Sequence, residues 1–389
     1  MQKDRLKHLF HRAVFFVLRY TAARFIKRRM RYSYEKKKGP NAPSIIISNH
    51  NTDLDPVLVA MSYSKHMYFL ASEHAFRKGF VSKLLEFAFS PISINKSKVD
   101  ASAIAGMLRK LRAGANVCLF AEGDRSFNGV TGQIPKSTGK LVKTSNADLI
   151  TFRLEGGYFT SPRWAKNNRQ GRMTGRQVNR YTAEELKAMS VAEINNAIER
   201  DIFEDAYERQ KANLTRYRGK LLAEDIETAL YLCPICGKLG TIRSEGNRFF
   251  CVCGLDGVYT ETGLLIGDSL PYSTITEWDV WQSEKLESIV VDADDGFIST
   301  DDMQTLYLVG PGSESGRTLV STGIMGISRD AFHCAGYDFP IDHITKMAIA
   351  GQMTLLFSIK SGDSYEVHSD APRSALKYRE IFRILTDNT

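Results

Sequence analysis

His50 and Asp55, in Ser48-Asn49-His50-Asn51-Thr52-Asp53-Leu54-Asp55-Pro56, are a base and a carboxylate spaced to move a proton together. A neutral imidazole takes a proton from an attacking hydroxyl near neutral pH, and a carboxylate on its other nitrogen sets the tautomer and stabilises the imidazolium. On a regular helix an i,i+5 pair points to different sides, so the two meet only if the chain turns between them. The neighbouring elements supply such a turn. Ile45-Ile46-Ile47, β-branched and short, predicts a core strand over 44–48. Pro56 to Met61 predicts a helix, with proline in its first turn and Thr52 or Asp55 as N-cap. Spacing alone equally allows a loop histidine beside a capping aspartate.

A second stretch separates these readings. Val117-Cys118-Leu119-Phe120 predicts another buried strand, followed by Ala121-Glu122-Gly123-Asp124-Arg125-Ser126, a turn with a carboxylate, a flexible glycine and a guanidinium. In an α/β sheet such strand ends converge on one crevice. Asn-His-x4-Asp followed about seventy residues later by Phe-x-Glu-Gly-x-Arg-Ser resembles the glycerolipid acyltransferase family, the PlsC-type enzymes that acylate lysophosphatidic acid. The resemblance implies that a glycerol-backbone hydroxyl, deprotonated by His50 with Asp55 orienting it, attacks the thioester of acyl-CoA or acyl carrier protein. It also implies that Glu122, Gly123 and Arg125 bind the acceptor, with Arg125 facing its phosphate. Lys96, in Ile94-Asn95-Lys96, keeps only the cation of a further motif that usually ends Ile-Asp-Arg. Ala121 and Asp124 stand where the family usually has proline and threonine, and the prolines of a fourth motif are missing from 147–157. Asp124 is expected to point away from the crevice, since adjacent side chains on a strand-like exit alternate. A thioester is already activated, so no catalytic cofactor or protein nucleophile is needed, and no Gly-x-Ser-x-Gly elbow occurs. The acceptor stays open between lysophosphatidic acid and glycerol 3-phosphate, another lysophospholipid or an aminolipid. A non-catalytic membrane-surface adaptor is the rival from another class, disfavoured by the joint presence of His50, Asp55, Glu122 and Arg125.

Cys233-Pro234-Ile235-Cys236-Gly237 and Cys251-Val252-Cys253-Gly254 flank a hairpin-sized segment turning at Glu245-Gly246-Asn247. Four thiolates at this spacing suit tetrahedral zinc in a closed, structural site. Cys118 and Cys334 lie in apolar strand contexts and are expected to be buried thiols. Nucleic-acid binding is excluded by charge: Lys238, Arg243 and Arg248 are balanced by Glu245, Asp256 and Glu261, and an acidic segment follows from Glu277 to Asp302.

The positioning elements follow from the chain as a whole. At 389 residues two or three domains are expected. The net charge of +8 hides a division, because residues 1–180 carry 33 Lys and Arg against 11 Asp and Glu. The basic front half suits an anionic membrane surface, and the acidic rear half should stand away from it. Residues 3–31 carry ten Lys or Arg and one acid around a helical apolar stripe that Phe15, Phe16, Phe25 and Ile26 widen. They predict an amphipathic helix lying on anionic lipid. Arg163-Trp164, in a basic acid-free stretch, reads as an interface-type pair. Ala13 to Leu18 is too short for a bilayer span or a signal-peptide core, so peripheral or monotopic attachment at a cytoplasmic membrane face is expected.

The expected organisation is an amphipathic helix (1–35), an α/β acyltransferase domain with a mixed sheet flanked by helices (36–215), a linker helix (216–229), a zinc ribbon (230–260) and a β-rich C-terminal domain (261–389). Helices are expected at 81–89, 102–113, 183–189, 191–210 and 374–385, and strands at 68–70, 92–94 and 147–157. Alternating runs such as Thr305–Val309 and Leu355–Ile359, closed by the last helix, resemble a pleckstrin-homology or GRAM-type barrel.

Overall fold

The computed structural model describes residues 16, 23–24, 26–40, 42–72, 92–94, 101–310 and 316–387. Lys96, the expected helix at 81–89 and most of the segment 3–31 lie outside the described residues. The rest divides into two compact units, one reaching Arg163 and resuming from Asn168 to Arg218, the other formed by Trp164–Asn167 and everything from Gly219 onward.

The first unit is built on a seven-stranded mixed sheet of order β1-β7-β6-β2-β5-β3-β4. These strands are β1 (Tyr32–Tyr34), β2 (Ser44–Ser48), β3 (Met67–Ser72), β4 (Ile92–Ile94), β5 (Asn116–Phe120), β6 (Asp148–Glu155) and β7 (Met173–Tyr181). The central strand β2 runs parallel to both β5 and β6. Its three isoleucines are fully buried because both faces of the sheet are covered. Ile46 points to a layer with Leu58, Met61, Phe69 and Phe152; Ile45 and Ile47 point to the opposite layer with Leu111, Leu149, Ile194 and Ile198. Ser48 lies opposite Phe120 in β5 and Phe152 in β6. The turns leaving β2 and β5 therefore emerge side by side, as ligand-binding turns do in parallel sheets.

Several sequence expectations change here. Neither Thr52 nor Asp55 is the N-cap of the helix Asp55–Ser62: Leu54 holds that position without a side-chain bond, and Asp55 is already helical. β7 lies unanticipated in the basic stretch after Ser161, pairing antiparallel with β6. Its sequence, MTGRQVNRY, shows little apolar alternation because part of the strand is exposed. The helix expected over 191–210 is two helices, Val191–Ile202 and Ala206–Ala212, broken at Phe203-Glu204-Asp205. The Asp205 carboxylate accepts from the N–H groups of Tyr207 and Glu208, starting the second helix. Residues 23–24 and 26–30 are helical, with Ile26 and Met30 buried in the core layer around Leu58 and Phe16 packed on it, while Arg24 and Lys27–Arg29 are exposed. Arg163 is buried within this unit, so the interface reading of Arg163-Trp164 is corrected.

In the second unit, β8 (Ile242–Glu245), β9 (Arg248–Cys251), β10 (Asp256–Tyr259) and β11 (Leu265–Ile266) form an antiparallel sheet with the expected turn at Gly246-Asn247. A second sheet, all antiparallel, has the order β15-β14-β13-β12-β18-β17-β16. Its strands are β12 (Ser299–Val309), β13 (Arg317–Ile327), β14 (Ala331–Cys334), β15 (Tyr337–Pro340), β16 (Ile344–Ala350), β17 (Thr354–Ile359) and β18 (Ser364–Ser369), followed by the helix Ala375–Asp387. The linker helix expected at 216–229 is absent; only a 3-10 turn, Ile226–Thr228, occurs there. An α-helix that the acidic composition hid spans Ile275–Val291, opened by a Thr274/Glu277 capping box. Its Trp278 is fully buried, with Nε1 donating to the Leu232 carbonyl at 2.9 Å. Trp164 is also fully buried, edge-on to Tyr259.

Candidate active site and cysteine cluster

The turn after β2 folds back on itself because Asp55 has no exposed surface and every atom of its carboxylate is used. Oδ2 faces His50 Nδ1 at 2.9 Å and accepts the backbone N–H groups of Asn51 and Thr52 at 2.6 and 2.8 Å. Oδ1 accepts the Thr52 hydroxyl at 2.6 Å. Donors this dense fix the carboxylate in place and pin His50 in one orientation. The ring stacks on Phe120 with centroids 4.6 Å apart and keeps about a fifth of its side chain exposed. Nε2 lies on the open side of the ring, and no described residue hydrogen-bonds it.

The turn after β5 reaches the same place. Glu122 accepts the His50 N–H on Oε1 at 2.7 Å and the Gly132 N–H on Oε2 at 2.6 Å, so its carboxylate ties the histidine turn to the loop at 132. Burial pushes this carboxyl from its ordinary 4.5 up to about 8, outweighing the lowering by the Gly132 and His50 N–H groups; Asp55 and Glu204 add to the rise. Gly123 follows at φ 72°, a left-handed conformation that a side chain would strain. Arg125 is spread over three partners: Nε donates to the Asn51 carbonyl at 3.0 Å, Nη1 to Asp53 Oδ1 at 3.0 Å, and Nη2 to Ser161. Asp53 is two-thirds exposed, whereas the Arg125 side chain is mostly buried. Asp124 points to Arg163, whose Nη2 lies 3.4 Å from Oδ1 and whose Nη1 donates to the Arg125 carbonyl. Arg163 also stacks on Phe127.

Two participants were not read from sequence. Arg163 sits 38 residues beyond the Arg125 carbonyl it holds. Glu204, buried in the break between the two helices, accepts side-chain bonds from Asn49 and Asn51. A carboxylate interrupting a helical pattern directly before a capping aspartate was the only local signal for Glu204. Gly157 completes the floor, since a Cβ there would come within 2.6 Å of Asn51 Cβ.

In the second unit, Cys233, Cys236, Cys251 and Cys253 bring their sulfurs within 4.8 Å of one another. Cys233 and Cys253 are 3.6 Å apart and Cys236 and Cys251 3.9 Å. The edge of a sulfur tetrahedron around zinc is about 3.8 Å for Zn–S bonds of about 2.3 Å, so the donor set fits such an ion. Gly237 and Gly254, both at positive φ, close the knuckles with N–H bonds to the Cys233 and Cys251 carbonyls. Cys118 and Cys334 are buried free thiols.

A histidine–aspartate pair at the carboxyl end of the central parallel strand of an α/β unit is a geometry suited to passing a proton to and from the imidazole. In comparison with known proteins, residues 19–155 match the Acyltransferase family. The crystal structure of the 1-acyl-sn-glycerophosphate (LPA) acyltransferase PlsC from Thermotoga maritima is similar over 55% of this chain and 99% of that one, at 15% identity and a TM-score of 0.39. No curated protein matches the chain.

Proposed function

We propose that this protein transfers a fatty acyl group from a thioester, acyl-CoA or acyl carrier protein, to the hydroxyl of a lysophosphatidic acid-type acceptor. The observation that carries the reading is His50 held through Nδ1 by a fully buried, fully bonded Asp55. Nε2 takes the acceptor hydroxyl proton as its oxygen attacks the thioester carbonyl; the C–S bond then breaks, and the leaving thiolate recovers the proton from the imidazolium. Asp55 holds the imidazole by Nδ1 and offsets the imidazolium charge.

Arg125 meets the acceptor phosphate through Nη1, the edge that only the exposed Asp53 engages, so phosphate takes the place of a surface carboxylate and not of a buried bond. Glu122 and Gly123 shape the wall beside it, and Lys96 supplies a second cation. Asp124, turned to Arg163, leaves the charge of Arg125 available. Cys233, Cys236, Cys251 and Cys253 hold zinc, which cross-links the two knuckles as a closed structural centre. Residues 36–215 form the catalytic domain, 230–260 the zinc ribbon and 261–389 a pleckstrin-homology or GRAM-like module. The exposed cations at Arg24 and Lys27–Arg29 place the catalytic unit on anionic lipid at the cytoplasmic face. Among the described residues no helix is long and apolar enough to cross a membrane.

The test is a panel of lysophosphatidic acid, glycerol 3-phosphate, neutral lysophospholipids and an aminolipid, offered with acyl-CoA and with acyl carrier protein donors. Transfer to lysophosphatidic acid that disappears in His50→Ala is the expected result. Turnover by the His50→Ala protein overturns the mechanism, and transfer confined to another acceptor overturns the substrate.

A further inference from the structure

Glu204 lies 49 residues beyond the segment that matches the Acyltransferase family, yet it is bonded to the turn that carries His50. Its carboxylate is faced by donors only. Oε2 accepts from Asn51 Nδ2 at 2.9 Å and, more weakly, from Asn49 Nδ2 at 3.5 Å; Oε1 accepts from the Gly156 N–H at 2.9 Å and Arg209 Nε at 3.0 Å. The side chain is almost wholly buried. Burial raises its carboxyl above the ordinary value, by more than Arg209, the Gly156 N–H and Asn51 lower it.

Those bonds grip the reactive turn from behind. Asn49 and Asn51 flank His50, and both amides also donate to the Leu154 carbonyl, with Asn49 Oδ1 accepting the Leu154 N–H in return. The backbone of Asn51 is also one of the donors that hold Asp55. A second route starts from the Glu204 backbone. Its N–H donates to Thr131 Oγ1 at 2.8 Å and its carbonyl accepts the Thr131 N–H at 2.9 Å. The next residue, Gly132, donates to Glu122, whose other oxygen accepts the His50 N–H. One residue thus fixes the turn through the Asn51 side chain on one side and through Thr131, Gly132 and Glu122 on the other.

We infer that Glu204 is a positioning residue for the acyl-transfer reaction: as a buried anion anchored by Arg209 it holds Asn49 and Asn51, and through them the orientation of His50 and Asp55. It touches neither substrate nor reacting atom. The anionic form is required, because all four groups facing the carboxylate are donors and an amide in its place turns an N–H toward one pair of them. A misplacement of the histidine by a fraction of an ångström affects the chemical step more than substrate binding.

This inference rests on the acyl-transfer reading, and a double-mutant cycle separates the two. Glu204→Gln and Asn51→Ala should each lower kcat about tenfold with both KM values within about threefold, and the double variant should be no slower than the slower single. Glu204→Asp, which keeps the charge, should recover part of the loss. Ring 15N resonances of His50 in the same proteins report its hydrogen bond to Asp55 without turnover, and should move in both single variants. Additive losses, or unchanged kcat and unchanged His50 resonances in a folded Glu204 variant, overturn the inference. If Glu204→Gln does not fold, Glu204→Asp replaces it in the cycle. Absence of acyl transfer in the wild-type protein overturns the functional reading alone, and the His50 resonances then decide the positioning role.

Discussion

The cysteine cluster draws all four sulfurs from two knuckles, its first and last cysteines only 20 residues apart, whereas the His50 turn is held by residues 72 to 155 positions away. The two are stabilised differently. In the cluster short N–H bonds close each knuckle and hold four sulfurs at a spacing that fits a metal ion. At the His50 turn Asp55, Glu122 and Glu204 are three carboxylates, each held by converging N–H donors and, for Glu204, by Arg209. The cysteine cluster is closed by bonds within its own knuckles, and the His50 turn by groups that the fold brings from far along the chain. Damage to the first should stay local, and damage to the second should reach the chemistry.

The largest break is at the centre of the turn. His50→Ala should lower turnover by at least about 10³-fold, and Asp55→Asn by about 10²–10⁴-fold, because the amide keeps size but loses imidazolium stabilisation and presents an N–H to donors. Both losses should appear in kcat for a protein whose far-ultraviolet circular dichroism is unchanged.

Cys236→Ser sharpens the contrast from the other side. Metal analysis should find about one zinc per wild-type chain and none tightly held in the variant, with amide exchange rising across β8 to β10. Activity at His50 should change less than about tenfold; a loss as large as that of Asp55→Asn would place the metal in the chemistry.

A smaller effect appears as a pH slope. Glu122 holds its proton up to about pH 8 in the folded protein against an ordinary 4.5, so the folded state binds more protons than the unfolded chain across that window. Its contribution is present in full below about 4.5 and is lost as pH rises through about 8. Wild-type Tm relative to Glu122→Gln should therefore fall as pH rises from 4.5 to 8, and flat behaviour would show that the two N–H bonds cancel the effect of burial.

The smallest effect is expected at Asp124. Asp124→Thr leaves Arg163 with its bond to the Arg125 carbonyl and its stack on Phe127, so a cost of about 1–2 kcal/mol in stability is expected. Acceptor preference should change by less than about tenfold, or about 1.4 kcal/mol. A larger gain confined to phosphomonoester acceptors would show that Asp124 faces the substrate.

The sequence by itself determined the pieces whose physics is local. The run Ile45-Ile46-Ile47 is a buried strand because three β-branched residues leave no polar face, and the hairpin at Gly246-Asn247 turns where glycine permits it. The juxtaposition of His50 with Asp55 was also legible, since five residues across a strand-to-helix turn bring the two together. Only the tertiary structure decided which groups complete the site. β7 stayed hidden because part of it is exposed and lacks alternation, and the helix Ile275–Val291 because its acids mask a buried stripe around Trp278 and Gln282. The partners of Arg125, the pairing of Asp124 with Arg163 and the grip of Glu204 on Asn49 and Asn51 join segments 36 to 155 residues apart. A guanidinium or carboxylate in a linear sequence reads as solvated charge; it becomes a structural clamp only when packing removes its water and the fold supplies donors or acceptors in its place.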